Sequence, residues 1–153
     1  MNNNSNKKYT EQQKLTESER LNDSNYVDYA EKAINNLNQH KTKQGKVITS
    51  NQIRKILSLN SEIYNDVINL KEENEQLSEE IVGRISYLKV RILYDCAREE
   101  TVRKFVEQTL LIKHIDEVRT NKQNQKKYYL LFSKYLEALV AFRAYEFGEE
   151  NNK

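Results

Sequence analysis

The chain has 153 residues, no proline and only three glycines, Gly45, Gly83 and Gly148. Sheets built from short strands reverse direction often. Their turns draw on proline for a fixed φ and on glycine for a positive one. A sequence nearly without either, and dominated by strong helix formers, is predicted to be all-α. We expect a compact bundle of about five to six helices. Residues 1–22 are Asn-, Lys-, Gln- and Ser-rich with almost nothing to bury, and read as a disordered polar tail. Residues 23–148 read as a single helical-bundle domain, and 149–153 as a second short tail.

Apolar periodicity divides the domain. Val27, Ala30, Ile34 and Leu37 form one stripe behind a cap at Ser24. Residues 40–46, HKTKQGK, make a basic loop turning at Gly45. Thr49 or Ser50 caps the next helix, and Thr49 with Gln52 fits a capping box. Its stripe runs through Ile53, Ile56, Leu57, Ile63, Tyr64 and Val67, interrupted by Asn60. After the acidic connection 71–80, Ser78 is placed to cap a long helix ending near residue 99. Residues 101–118 read as two short helices broken near Thr109. A final helix over about 124–147 holds Tyr128, Leu131, Phe132, Tyr135, Leu139 and Phe142 on one broad face. Leu130, Leu136, Val140 and Phe147 add apolar surface elsewhere, so this helix is either central or an interface, and Leu136, Val140 and Phe147 are the expected assembly contact.

The long helix carries two stripes. Ile81, Ile85, Leu88, Ile92 and Cys96 are spaced for a buried face. Arg84, Arg91 and Arg98 repeat every seven residues, close to two turns, and share a second face. Tyr87 and Tyr94 follow Arg84 and Arg91 at i+3, so guanidinium and phenol alternate over about 21 Å. Asp95 is within i,i+4 reach of Arg91 and i,i+3 reach of Arg98. Arginine binds phosphate bidentately and stacks on bases, and tyrosine stacks on unpaired bases. The plain alternative is a solvated face paired with Glu80, Asp95 and Glu99. A second basic spot opens the TSNQIRK helix, where Ser50, Arg54 and Lys55 follow Lys46 and unpaired backbone N–H groups favour an anion.

Other function classes find little support. His40 and His114 stand without patterned acids or cysteines, and metal-ligand spacing, a Gly-rich phosphate loop and a nucleophile motif are all missing. We therefore expect no enzyme activity, no metal and no cofactor. Net charge is only +2, which leaves room for a local basic patch but not for a polybasic tail. The single cysteine, Cys96, falls on the apolar stripe and reads as a small buried hydrophobe in a reducing compartment. The opening residues hold no apolar stretch of secretory type, and no apolar run approaches the ~20 residues a membrane span needs. The expected location is cytoplasmic.

Three stretches together resemble one family. ITSNQIRKILSLNSEIYNDV is similar to its Thr-Thr/Ser cap followed by Ile-Arg-Asn-Ile-Leu. ISYLKVRILYDCARE resembles its Tyr-Leu-Lys-Val-Arg…Tyr…Gly-Arg-Glu segment, and LFSKYLEALVAF its Leu-Phe-Cys-Arg-Tyr-Met-Glu-Ala-Leu-Val-Ala-Tyr segment. The early SNYVDYAEKAI is also similar, and the resemblance runs in order from about residue 24 to 148. The family is the small helical subunit of the type III-A CRISPR effector, the Csm complex. The resemblance implies a non-catalytic subunit that stacks in several copies as a filament, faces the backbone subunits holding the guide RNA and lines the groove for target RNA. RNA cleavage then belongs to the backbone subunit, and DNA cleavage and cyclic oligoadenylate synthesis to the large cyclase-type subunit.

Carried over by position, Arg54 matches the Ile-Arg arginine, Lys89 and Arg91 match Lys-Val-Arg, and Arg98 matches Gly-Arg-Glu. Lys89 lies toward the core stripe, so it either snorkels to RNA or serves packing. Ala97 replaces the usual glycine, Ser133-Lys134-Tyr135 replaces Cys-Arg-Tyr, and the basic-aromatic tail becomes FRAYEFGEE, which favours packing over RNA contact for the last helix. The expected RNA-binding set is therefore Lys46, Ser50, Arg54, Lys55, Arg84, Tyr87, Lys89, Arg91, Tyr94 and Arg98. Expected partners are guide RNA and target RNA, the other Csm subunits and further copies of the chain, with no membrane. The competing function is a helical protein–protein adaptor that binds no RNA.

Overall fold

The computed structural model describes residues 14–70 and 76–148. Six helices are present among them: α1 (Tyr26–Leu37), α2 (Ser50–Ile68), α3 (Glu79–Arg98), α4 (Glu100–Thr109), α5 (Leu111–Thr120) and α6 (Gln125–Phe147), with a 3-10 turn at Glu17–Glu19. No strand occurs among the described residues. The helix starts follow local chemistry. The Thr49 hydroxyl accepts from the Gln52 N–H at 3.1 Å while the Gln52 amide oxygen accepts from the Thr49 N–H at 2.9 Å, completing the expected capping box. Ser78 caps α3 through the Ile81 N–H. At α1 the cap differs from expectation: Asn25, not Ser24, holds the cap position and its side chain makes no capping bond, while the Asn22 amide oxygen closes the preceding turn by accepting from the Ser24 and Asn25 N–H groups. Val27 is correspondingly exposed, and Ala33 takes its place in the buried stripe.

The break expected near Thr109 falls at Leu110, the one non-glycine residue at positive φ (55°) among those described. A left-handed residue there ends α4 and lets α5 leave in a new direction. The Thr109 carbonyl, freed by the break, accepts from the Tyr135 hydroxyl at 2.8 Å.

α6 is the central element, packed against α1, α2 and α5, while α3 lies outside it against α2, α4 and α5. Central position explains why α6 carries apolar residues on more than one face. Leu136, expected at the assembly contact, has 0% exposure and belongs to the core, while Val140 and Phe147 are half-buried against it. Two polar groups are buried with it. Asn60 of α2 donates to the Ser133 hydroxyl at 3.0 Å and accepts from the Tyr129 hydroxyl at 2.9 Å. Arg143 donates through Nε to the Ile48 carbonyl at 2.9 Å and through Nη1 to the Gly148 carbonyl.

The expected tail at 1–22 lies outside the described residues as far as 13, and 149–153 lies outside them entirely. What is described of the first tail is folded onto the bundle rather than disordered. Leu21 is buried, Tyr29 donates to the Ser18 carbonyl, and Arg20 pairs with Glu117 at 3.4 Å. One large apolar residue and two side-chain ties are enough to fix a short segment whose composition alone reads as unstructured.

Candidate nucleic-acid interface

α2 and α3 run antiparallel, each tied to the other near both ends. Near one end Lys55 lies 3.3 Å from Asp95, and near the other Arg84 pairs with Asp66. The antiparallel arrangement sets the start of α2 beside the end of α3. A further bond, from the Thr101 hydroxyl to the Gln52 amide oxygen at 2.9 Å, fixes the start of α4 to the same corner. The two basic spots found separately in the sequence thereby meet. Lys55, with Arg54 next to it in the chain and both exposed, lies against the end of α3, which carries exposed Tyr94 and Arg98. The Arg98 guanidinium sits 5.4 Å from the Tyr94 ring centroid, a cation–π arrangement that holds both side chains toward solvent. Lys46 is exposed on the loop leading into α2.

The remaining expected residues divide. Tyr87 is exposed on the same outer face of α3 as Tyr94. Arg84 stands at the far end of the stripe, paired. Arg91 is half-buried in the α2–α3 seam, and its Nε is buried with no hydrogen-bond partner among the described residues. Ser50 is only 7% exposed, because Thr49 and not Ser50 occupies the cap, so its hydroxyl does not form part of an open surface. Lys89 turns the other way. It binds Asp116 of α5 at 2.8 and 3.0 Å, and Arg119 joins them by donating to Asp116 and to the Ser86 hydroxyl, each at 2.8 Å. This cluster clasps α3 to α5, which is the packing role among the alternatives for Lys89. Asp95 likewise meets Lys55 across the helix pair rather than Arg91 or Arg98 within α3.

Sequence reasoning missed two residues of this face. Val90 and Leu93 are 57% and 45% exposed; Val90 shares the outer face with Tyr87 and Tyr94, and Leu93 stands about a quarter turn further round the helix. The signal was present, since 87, 90 and 94 share a face at i+3 and i+4. Cys96, expected in the core, is half-buried; burial first, and the Asp95 charge second, push its thiol up to about 11 and keep it protonated. Burial pulls His114 down to about 4, so it packs as a neutral ring against Tyr135 at 5.0 Å between centroids. Among the described residues no group of three or more His, Cys, Asp or Glu converges as a metal site, and no helix is long and apolar enough to cross a membrane.

A family model described as Csm2 Type III-A matches residues 21–148, which is nearly all of the described bundle. The chain belongs to the type III-A Csm2 family. It is 33% identical over 130 residues to the CRISPR system Cms protein Csm2 of Streptococcus thermophilus, covering 85% of this chain and 98% of that one. Against the Csm2 protein of Enterococcus italicus it is 38% identical over 103 residues, covering 67% and 71% of the two chains. Against that of Mycobacterium tuberculosis it is 29% identical over 105 residues, covering 69% and 80%. The Csm2 match spans all six helices, so the α2–α3 corner belongs to the part of the chain that the family shares.

Proposed function

We propose that the chain is a non-catalytic small subunit of a cytoplasmic type III-A effector complex in antiviral defence, binding target RNA within the guide–target duplex and stacking in copies along the complex. Its partners are the guide and target RNA, the backbone and large cyclase-type subunits, and neighbouring copies. The observation that carries this reading is the meeting of Arg54 and Lys55 with Tyr94 and Arg98 at one corner, through the Lys55–Asp95 and Gln52–Thr101 contacts. Cations from two helices on one surface neutralise adjacent phosphates, and an exposed phenol beside them offers a stacking face. Lys46 extends the same edge.

A salt titration of single-stranded RNA binding, read by fluorescence anisotropy, tests it. Contacts by Lys46, Arg54, Lys55 and Arg98 give a slope of log K against log salt of about −3. RNA that fails to bind at low salt refutes the reading. The adaptor reading is favoured by one specific observation, the exposure of four large apolar side chains on α3, Tyr87, Val90, Leu93 and Tyr94, which a protein partner would cover. It expects no RNA binding and loss of the chain from the purified complex on Leu93→Asp.

A further inference from the structure

A cleft of about 330 Å³ opens between α2 and α3, lined by Leu59, Ile63 and Leu88 within and by Tyr87, Arg91 and Glu62 at its edges. Its volume falls at the small end of the roughly 300–1,000 Å³ of small-molecule sites. Two features mark it. Gly83, on its rim, has no side chain, and a Cβ there would meet nothing within 4 Å. Arg91 lines its edge, and its buried Nε–H has no acceptor among the described residues. An unsatisfied buried donor is costly, and a ligand that supplies an acceptor recovers that cost.

We propose that this cleft takes one unstacked base from an RNA strand whose phosphates lie at the Arg54–Arg98 corner; the proposal rests on the RNA-binding reading above. The chemistry of the walls selects a base over a phosphate. Glu62 and Glu80 line the rim and Asp66 is held beside it by Arg84, and these carboxylates repel a phosphate. They accept readily from an exocyclic amino group, while the Arg91 N–H, turned by a small side-chain rotation, meets a ring nitrogen. Apolar Leu59, Ile63 and Leu88 accommodate the flat faces, and the exposed Tyr87 ring closes over them. Adenine and cytosine present an amino donor next to a ring acceptor on one edge, and uracil does not. The cleft therefore prefers adenine or cytosine to uracil.

The test uses the full chain and labelled oligoadenylate, oligouridylate and abasic ribose-phosphate strands of equal length. Wild type binds oligoadenylate roughly tenfold more tightly than the abasic strand, the scale of one stacked base. Gly83→Phe fills the cleft and brings oligoadenylate down to the oligouridylate value, while Arg98→Ala weakens all three strands together. Circular dichroism checks that both variants fold, and Tyr87→Ser, at an exposed position, serves as a second cleft variant. Salt-dependent binding of all strands with equal affinity overturns the base cleft and leaves the RNA reading standing. Binding of none of them overturns both. A base preference that survives in folded Gly83→Phe and in Tyr87→Ser overturns the cleft. Loss of Gly83→Phe from the assembled complex with RNA preference intact does so as well, and assigns the cleft to a protein side chain.

Discussion

Lys55 Nζ on α2 lies 3.3 Å from both carboxylate oxygens of Asp95 on α3, so one cation of the candidate RNA corner is already half neutralised by its own fold. The Asp95 side chain is mostly buried and that of Lys55 is about half-exposed, which leaves the ammonium free to turn toward a phosphate. Asp95→Asn keeps an acceptor of the same shape and removes the charge. We expect a folded protein that loses about 1 kcal/mol or less. RNA affinity at low salt should rise a fewfold and the salt slope should steepen by about 0.7. Anisotropy titrations of wild type and variant in parallel decide it; a weaker-binding variant would mean that Asp95 positions Lys55 rather than competing for it.

Arg98 and Arg91 share a stripe but differ in burial, and their substitutions should separate. Arg98→Ala removes an exposed side chain stacked on Tyr94, so its effect on stability should stay within about 0.5 kcal/mol while the salt slope falls by about 0.7. Arg91→Ala also strips a stem that packs in the seam, and should cost about 1 kcal/mol as well as weakening RNA binding. Chemical denaturation alongside the binding curves distinguishes the two. Equal stability losses would place Arg91 on the surface.

Much of the fold was readable from the chain because helix periodicity is a local property. The α3 stripe of Ile81, Ile85, Leu88 and Ile92 is buried as its spacing predicts, the Thr49–Gln52 box forms, and the break near Thr109 is there. Contacts between helices were not readable, because spacing within one helix says nothing about the neighbour. Asp95 had two arginines within reach on its own helix, yet the partner it meets is forty residues away in sequence. Lys89 and Asp116 pair across twenty-seven. α6 shows the same limit differently: a helix apolar on more than one face fits either a centre or an interface, and only packing decides. Arg143 was hidden for a related reason, since a buried arginine is satisfied by carbonyls that carry no sequence signature. The basic corner itself was legible as two patches, and its unity depends on the antiparallel pairing of α2 with α3.

The Asn60 cluster gives a stability prediction. Its amide joins Ser133 and Tyr129 inside the α2–α6 contact. Asn60→Ala leaves the Tyr129 hydroxyl without its side-chain acceptor and opens a small void, and should cost about 2–4 kcal/mol. Tyr129→Phe removes one hydroxyl and leaves the ring, and should cost about 1 kcal/mol. Thermal or urea unfolding measures both. A near-neutral Asn60→Ala would mean that water replaces the amide and that the contact is not dry.

Leu136 is the position at which core and surface readings of α6 diverge most. With no exposed area it should lose about 2–5 kcal/mol on replacement by alanine, and Leu136→Asp should fail to fold. Tyr145, on the same helix but almost wholly exposed, should tolerate aspartate with little change in melting temperature. A folded, helical Leu136→Asp would place Leu136 at the surface, as the expected assembly contact requires.

His114 sets the response to acid. Burial holds the folded-state value at about 4, below the ordinary 6.5, so the neutral ring is the form that packs against Tyr135. Between those two values the unfolded chain binds a proton that the folded chain refuses. Stability from this group is therefore complete above pH 6.5, declines as the pH falls, and is fully lost below about 4. The span corresponds to roughly 3 kcal/mol at most. Glu19, held below the ordinary carboxylate range chiefly by the Thr16 N–H, acts in the same direction, losing its contribution as it is protonated. The nearby Lys113 charge further disfavours protonation of His114, and Glu19 opposes it. His114→Gln keeps a polar group of similar reach without a titrating ring. Urea unfolding at pH 7.5 and pH 5, solvent conditions of about that spacing being sufficient to cross the upper half of the window, should show wild type losing more stability than the variant. Equal losses in the two proteins would mean that His114 opens to solvent and titrates in the folded state as it does in the unfolded one.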